Sequence, residues 1–381
     1  GDWSSDVCSS DLESGMAHFI EHTLFKGTKK RKSWHILNRL ESVGGELNAY
    51  TTKEETFVYA NFLCEDFERA VDLCSDIVFH ATFPQKELEK EVDVIIDEIQ
   101  SYKDTPSEQI YDDFEELLFE GSPLGRNILG VARRLKKYKT QDAIEFVQRT
   151  YNTDKILFFS LGKIPFSRVK RIVMKYVSDI PAKKSESNNL VSSSVTPFSK
   201  IVNKHTSQSH VMIGAHGYDL YDDKRLPLCL LNNIIGGPSM NSRLNMLLRE
   251  KNGMAYNVES TYTSYSDAGL WVVYFGTDEK NREKCTQLVM SELKKMREQQ
   301  MTTLQIDRYK KQLMGQMAIM QENRENLVLS LAKSFLYFNK FETLESVSKQ
   351  LDALTPQILQ EVSREVFDEK CISSLVYACK A

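Results

Sequence analysis

Gly15-Met16-Ala17-His18-Phe19-Ile20-Glu21-His22-Thr23-Leu24-Phe25-Lys26-Gly27-Thr28 is the stretch on which the reading of this 381-residue chain turns. Apolar residues recur through it at helical spacing, Ser14 precedes it as a candidate N-cap, and Gly27 closes it. A helix over Ser14–Thr28 is predicted. Residues four apart on a helix share one face. His18 and His22 therefore present two imidazoles on the same side, and Glu21 projects beside them. Neutral imidazoles and carboxylates are zinc ligands, and a catalytic zinc keeps one position open for water. Such a water has its pKa lowered towards about 7, so a neighbouring carboxylate can take its proton. The competing reading is a solvated helix face that carries two histidines by accident.

Working outward, a second helix is predicted over Ser33–Val43, and Gly44-Gly45 ends it. Glu46–Thr51 and Thr56–Leu63, rich in Thr, Tyr, Phe and Val, read as strands. Amphipathic helices follow at Glu65–His80, Pro84–Tyr102, Pro106–Phe119, Gln141–Arg149 and Phe166–Val177, with a β-like run at Ile156–Leu161. Residues 182–200 are polar and Ser/Asn-rich, as a linker would be. Beyond them the order of elements begins again. A strand at His210–His216 and helices at Leu226–Ile235 and Ser239–Lys251 lead to a hairpin at Met254–Tyr265 and Gly269–Thr277. More helices and a closing strand, Ile372–Ala378, complete the chain. Paired strands beside several helices in both halves suggest a weak internal duplication and an α+β class.

His18-x-x-Glu21-His22 and the residues around it resemble the zinc helix of the pitrilysin/insulinase peptidases, the family that includes the mitochondrial processing peptidase. The resemblance covers about residues 13 to 381. In that family the third zinc ligand is a Glu on a later helix, roughly 76 residues after the second His. Glu98, within Val94-Ile95-Ile96-Asp97-Glu98, stands at that distance. A second carboxylate precedes the ligand by seven residues, a position held here by Glu91. Seven residues are about two helical turns, so Glu91 and Glu98 share a face beside the apolar stripe of Val92, Ile95, Ile96 and Ile99. The resemblance thus implies one Zn²⁺ per chain on His18, His22 and Glu98. It makes Glu21 the general base and Glu91 a residue that orients a His ligand or assists proton transfer.

Gly45-Glu46-Leu47-Asn48-Ala49-Tyr50-Thr51 resembles the family's active-site edge strand. An edge leaves backbone N–H and C=O groups to which an extended peptide can add. Asn48 and Ala49 would flank the scissile bond. In the second half, Arg249 and Tyr256 of Leu248-Arg249-Glu250-Lys251-Asn252-Gly253-Met254-Ala255-Tyr256 resemble the family's Arg…Tyr pair, donors to the substrate carbonyl. Gly236-Gly237-Pro238-Ser239 opens that helix and is not a phosphate loop, since no GK[ST] follows. No HxxEH occurs in this half.

The resemblance implies an α+β fold of two similar domains, each an antiparallel sheet covered by helices, enclosing a central cavity that favours unfolded peptides. The expected divisions are an adapter-like segment (1–12), a zinc-binding domain (13–181), a linker (182–200) and a metal-free substrate-closing domain (201–381). Gly1–Leu12, GDWSSDVCSSDL, resembles the conceptual translation of a sequencing-library adapter and takes no part in the fold reasoning. The expected function is zinc-dependent endopeptidase. The rival is a non-catalytic peptide-binding or scaffold partner of such an enzyme, which zinc content and peptide hydrolysis would separate.

Composition narrows the classes further. A net charge of −4 with pI about 6.1 gives no sign of a nucleic-acid partner. No apolar run approaches the roughly 20 residues that cross a bilayer. The seven cysteines are scattered, without a CxxC pair. They favour a reducing compartment, the cytoplasm, with export left open because targeting residues cannot be read. Peptide is the expected substrate, and family members of this length often pair as homodimers.

Overall fold

The structure, a computed structural model, describes residues 13–185 and 196–380. The adapter-like segment and the middle of the expected linker lie outside the described residues. In chain order the helices and strands are α1 (Met16–Leu24), α2 (Ser33–Glu41), β1 (Glu46–Thr51), β2 (Thr56–Asn61), α3 (Phe67–His80), α4 (Gln85–Asp104), α5 (Pro106–Leu118), α6 (Ala132–Leu135), α7 (Thr140–Thr150) and α8 (Phe166–Val177). Then come β3 (Ser199–Lys204), β4 (Ser209–Gly217), α9 (Arg225–Gly236), β5 (Ala255–Ser264), β6 (Gly269–Thr277), α10 (Glu279–Glu298), α11 (Thr303–Gln321), α12 (Arg324–Phe338), α13 (Leu344–Asp352), α14 (Pro356–Val366) and β7 (Ser373–Cys379). None of the described helices is long and apolar enough to cross a membrane.

Contacts divide this α+β chain into two compact units that are not the contiguous halves expected from the linker composition. The first comprises the described residues of Gly1–Ser101, Arg126–Asn189 and Val328–Tyr337; the second comprises those of Tyr102–Gly125, Leu190–Leu327 and Phe338–Ala381. The physical reason lies in two helices. α5 buries Ile110, Phe114 and Leu118 against Met212, Val272, Leu375 and Tyr377, the side chains of one sheet face in the second unit. The Val328–Tyr337 part of α12 instead joins the first unit through Glu55. Lys333 Nζ lies 3.0 Å from Glu55 Oε1, and the Tyr337 hydroxyl donates to the same carboxylate.

The first unit packs α1, α2, α3 and α4 around Phe19, Ile20, Leu24, Ile36, Leu40, Leu73, Ile77, Leu88 and Ile95. β1 and β2 form an antiparallel hairpin with Asn48 opposite Tyr59 and Ala49 opposite Val58. Ile156–Leu161, expected as a strand, continues as irregular backbone to which none of the named strands is paired. Alternation of apolar residues favours an extended chain, but a ladder also needs a partner, and that is a tertiary fact.

In the second unit five strands form one sheet in the order β3-β7-β4-β6-β5. All neighbours are antiparallel except β3 and β7, which run parallel. The sheet is thus antiparallel as expected apart from this one parallel pair, whose strand β3 begins inside the stretch read as linker. Period-2 alternation sends Trp271, Val273 and Phe275 of β6 to one face, against Leu228, Leu231, Val289, Leu359 and Val362. The alternate residues Leu270, Val272 and Tyr274 meet α5 on the other.

The start of α1 is set by a close backbone approach. Ser14, the expected cap, stands one residue too early; Gly15 occupies the cap position at φ 81°, ψ 2°, with no side-chain cap bond. A Cβ there would lie 2.7 Å from both Gly130 Cα and Leu129 O. The Tyr138 hydroxyl donates to Ser14 O at 2.9 Å and holds the same junction. Gly15→Ala combines a left-handed backbone with overpacking and is expected to cost about 2–4 kcal/mol in urea unfolding. An unchanged midpoint would mean that the 127–130 loop yields freely.

Candidate metal centre

α1 and α4 carry the chemistry, and their sequences explain how they face each other. Phe19, Ile20 and Leu24 of α1 and Leu88 and Ile95 of α4 are fully or almost fully buried in one core. That burial turns His18 and His22 on one helix towards Glu91 and Glu98 on the other. The end of α1 is pinned as well: Arg31 pairs with Asp76 at 2.5 Å and with Asp72, and Thr28 Oγ1 donates to Asp76 at 2.7 Å.

His18, His22 and Glu98 each offer a donor atom, and these atoms lie within 4.8 Å of one another. His18 Nε2 is 3.7 Å, and His22 Nε2 3.6 Å, from the same oxygen, Glu98 Oε2. These separations exceed hydrogen-bond length. They are close to what a shared ion requires, since tetrahedral ligands about 2.0–2.2 Å from zinc stand about 3.3–3.6 Å apart. The two imidazole rings meet edge-on with centroids 4.5 Å apart. On this geometry and donor chemistry the three residues fit a zinc ion. Among the described residues no other cluster of His, Cys, Asp and Glu meets the same criterion.

Electrostatics favour ligand-ready histidine. His18 is 7% exposed, and burial, with the neighbouring His22 charge second, lowers its pKa to about 4. It therefore stays neutral, with a lone pair to give, across the physiological range. On the other side of His22, Nδ1 lies 3.4 Å from Glu91 Oε2, while Glu91 Oε1 pairs with Lys26 Nζ at 2.7 Å. Glu91 thus contacts the His22 nitrogen that faces away from Glu98. An acceptor at Nδ1 keeps the proton there and leaves Nε2 free to coordinate.

Glu21 sits in the same pocket of charge. Burial raises its carboxyl pKa most; hydrogen bonding from Thr51 and the His22 charge lower it, and Glu98 raises it further. Thr51 ends β1, so the strand carrying Asn48 and Ala49 runs up to the Glu21 carboxylate. Asn48 is exposed and Ala49 half-buried. Among the described residues β1 pairs only with β2, leaving its other edge without a strand. Tyr151 also senses Glu21: burial first, then the Glu21 charge, push its phenol pKa up. Sequence reasoning missed Thr51 and Tyr151, and no local signal marks them, because only folding brings them to Glu21.

Arg249 and Tyr256 belong to the second unit and are described there. Arg249 lies on a π-helical turn, Asn245–Glu250, rather than on the regular helix expected over Ser239–Lys251. Tyr256 stands at a register shift in β5 and is 69% exposed. Gly253 turns the chain between them at φ 58°, a left-handed conformation suited to glycine.

Comparison with known proteins gives two sequence-family matches. The family described as "Insulinase (Peptidase family M16)" matches residues 9–132, and "Peptidase M16 inactive domain" matches residues 137–313. "Uncharacterized zinc protease YmxG" of Bacillus subtilis is 29% identical over 363 residues, covering 95% of this chain and 88% of that protein. The "Mitochondrial-processing peptidase subunit beta" of Saccharomyces cerevisiae is 28% identical over 359 residues, covering 90% and 77%. Among solved structures, a peptidase M16 inactive domain from Pseudomonas fluorescens superposes with a TM-score of 0.91 at 18% identity, covering 100% of this chain and 91% of that one. A protease from Helicobacter pylori gives 0.87 at 17% identity, covering 98% and 91%. At these identities the structural likeness bears on the fold.

Proposed function

From the chain's membership of the insulinase family of peptidases, M16, we propose that it is a zinc-dependent endopeptidase acting on peptides or unfolded protein segments. The observation that carries this reading is the convergence of His18, His22 and Glu98 donor atoms within 4.8 Å, with the Glu21 carboxylate beside them. The description "inactive domain" attaches to residues 137–313, a span that contains none of these four residues.

His18, His22 and Glu98 would hold one zinc per chain. Zinc bound there supplies Lewis acidity, lowering a water's pKa towards about 7 and polarising the scissile carbonyl. Glu21 takes the proton from the attacking water and gives it to the amine nitrogen as the C–N bond breaks. Its raised pKa suits both halves of that transfer. An extended peptide adds to the edge of β1 that carries no other strand among the described residues, with Asn48 and Ala49 at the scissile bond, so backbone pairing rather than side-chain reading supplies most of the binding. Arg249 and Tyr256 take the role of donors to the carbonyl as it gains negative charge. The relative named as a subunit supports assembly with a second chain, for which a homodimer is the simplest form.

The direct test is metal analysis together with hydrolysis of a quenched peptide library, before and after chelation. One zinc per chain and chelator-sensitive cleavage support the reading. Zinc without cleavage shifts it to a non-catalytic peptide-binding partner, and a folded chain without zinc removes its basis. A subtler expectation concerns Glu91. Glu91→Gln leaves the His22 nitrogen facing an amide instead of a carboxylate, and zinc affinity should fall about 10–100-fold. Competition with a chromophoric chelator reads this; unchanged affinity would confine Glu91 to its ion pair with Lys26.

A further inference from the structure

The two elements that carry Arg249 and Tyr256 each hold one residue more than regular geometry allows. In the π-turn the Lys251 N–H reaches back five residues to Met246 O at 3.0 Å, whereas Met246 N–H bonds Ser242 O, four residues back, at 2.9 Å. π-turns are rare and are frequently found at functional sites. In β5 the register passes from Ala255 opposite Thr277 to Asn257 opposite Gly276, so Tyr256 is the extra, bulged residue. The bulge resets the alternation: Ala255 and Val258 are both buried, though three apart, while Tyr256 and Asn257 between them are both exposed.

One side chain spans the two irregularities. Asn245, 9% exposed at the first residue of the π-turn, donates from Nδ2 to Ser242 Oγ at 3.0 Å and to Val258 O at 3.4 Å. Val258 is the residue at which β5 regains its alternation. Leu248, fully buried, anchors the same turn, and its carbonyl accepts from Met254 N–H at 2.9 Å as the chain leaves for β5.

We propose that Asn245 is a positioning residue for Arg249 and Tyr256. By tying the widened turn to β5 beyond the bulge, it adds a side-chain link to the backbone bond between Met254 and Leu248 and so fixes the guanidinium and the phenol relative to each other. The inference rests on the reading that these two side chains serve a substrate carbonyl, and it adds the residue that holds them for it. Asn245→Leu keeps the heavy-atom count and the branch at Cγ and removes both N–H donors; Asn245→Gln restores a donor.

The test is a double-mutant cycle. In the otherwise native chain Asn245→Leu should lower kcat/KM about tenfold, mostly in kcat, with zinc content unchanged and partial recovery in Asn245→Gln. Added to the Arg249→Ala/Tyr256→Phe background, the same change should cost less than about twofold, because its effect passes through those residues. Equal losses in both backgrounds would overturn the proposal by making Asn245 merely structural. A second readout is independent of turnover. Amide exchange at Lys251 should quicken about tenfold in Asn245→Leu while Val273 in β6 stays protected; unchanged Lys251 protection would also overturn it. Failure of the zinc peptidase reading shows differently, as a native chain without chelator-sensitive cleavage.

Discussion

Glu21→Gln is expected to keep its zinc and lose turnover by about 10²–10⁴-fold, the range over which a positioned acid–base group accelerates proton transfer. Glutamine has the shape of glutamate and keeps one carbonyl oxygen to accept from Thr51, so α1 and β1 should keep their packing. What it lacks is a basic oxygen. The proton of the attacking water then has no acceptor, and the leaving amine has no donor. Glu21 is not among the three residues whose donor atoms converge, so metal content should be unaffected and KM should change less than kcat. Metal analysis, thermal unfolding and hydrolysis of a quenched peptide form the measurement. Normal cleavage by a zinc-loaded Glu21→Gln chain would take the general-base role from this residue.

Glu98→Ala carries the second large effect. One oxygen, Glu98 Oε2, faces both imidazole nitrogens at 3.6 and 3.7 Å, so its loss removes the only carboxylate from the cluster and leaves two ligands. Zinc content should fall from about one to below about 0.1 per chain after dialysis, and cleavage should fall to background. Stability provides a second readout. A ligand that binds only the folded chain adds RT ln(1 + [L]/Kd), about 4 kcal/mol at a thousandfold excess over Kd. Zinc should therefore raise the unfolding midpoint of the native chain and leave that of Glu98→Ala unmoved. The exposed neighbour Asp97 is the control, and Asp97→Asn should behave as the native chain does. Retained zinc and activity in Glu98→Ala would point to another third ligand.

Much of the candidate site could be read from local order in the sequence. The i, i+4 spacing of His18 and His22, and the two turns between Glu91 and Glu98, place side chains on helix faces before any tertiary contact exists. The partners of Glu21 could not be read this way: Thr51 and Tyr151 come from a strand end and a helix end far away in the chain. The π-turn under Arg249 was equally hidden, because helical periodicity does not distinguish a regular turn from one widened by a residue.

The same division runs through the fold. Sequence by itself determined the α+β class, most helices, the β1 and β2 strands, the β5–β6 hairpin, and the shared helix face of His18 and His22, whereas Glu98 was reached through the family resemblance. Each of the former depends on spacing within one element or between immediate neighbours, and spacing fixes which face is apolar. Tertiary structure alone decided that α5 packs on the second unit's sheet, that Val328–Tyr337 joins the first unit through Glu55, and that β3 runs parallel to β7. Periodicity says that a face must be covered, but which distant element covers it depends on shape and partners that no local pattern encodes.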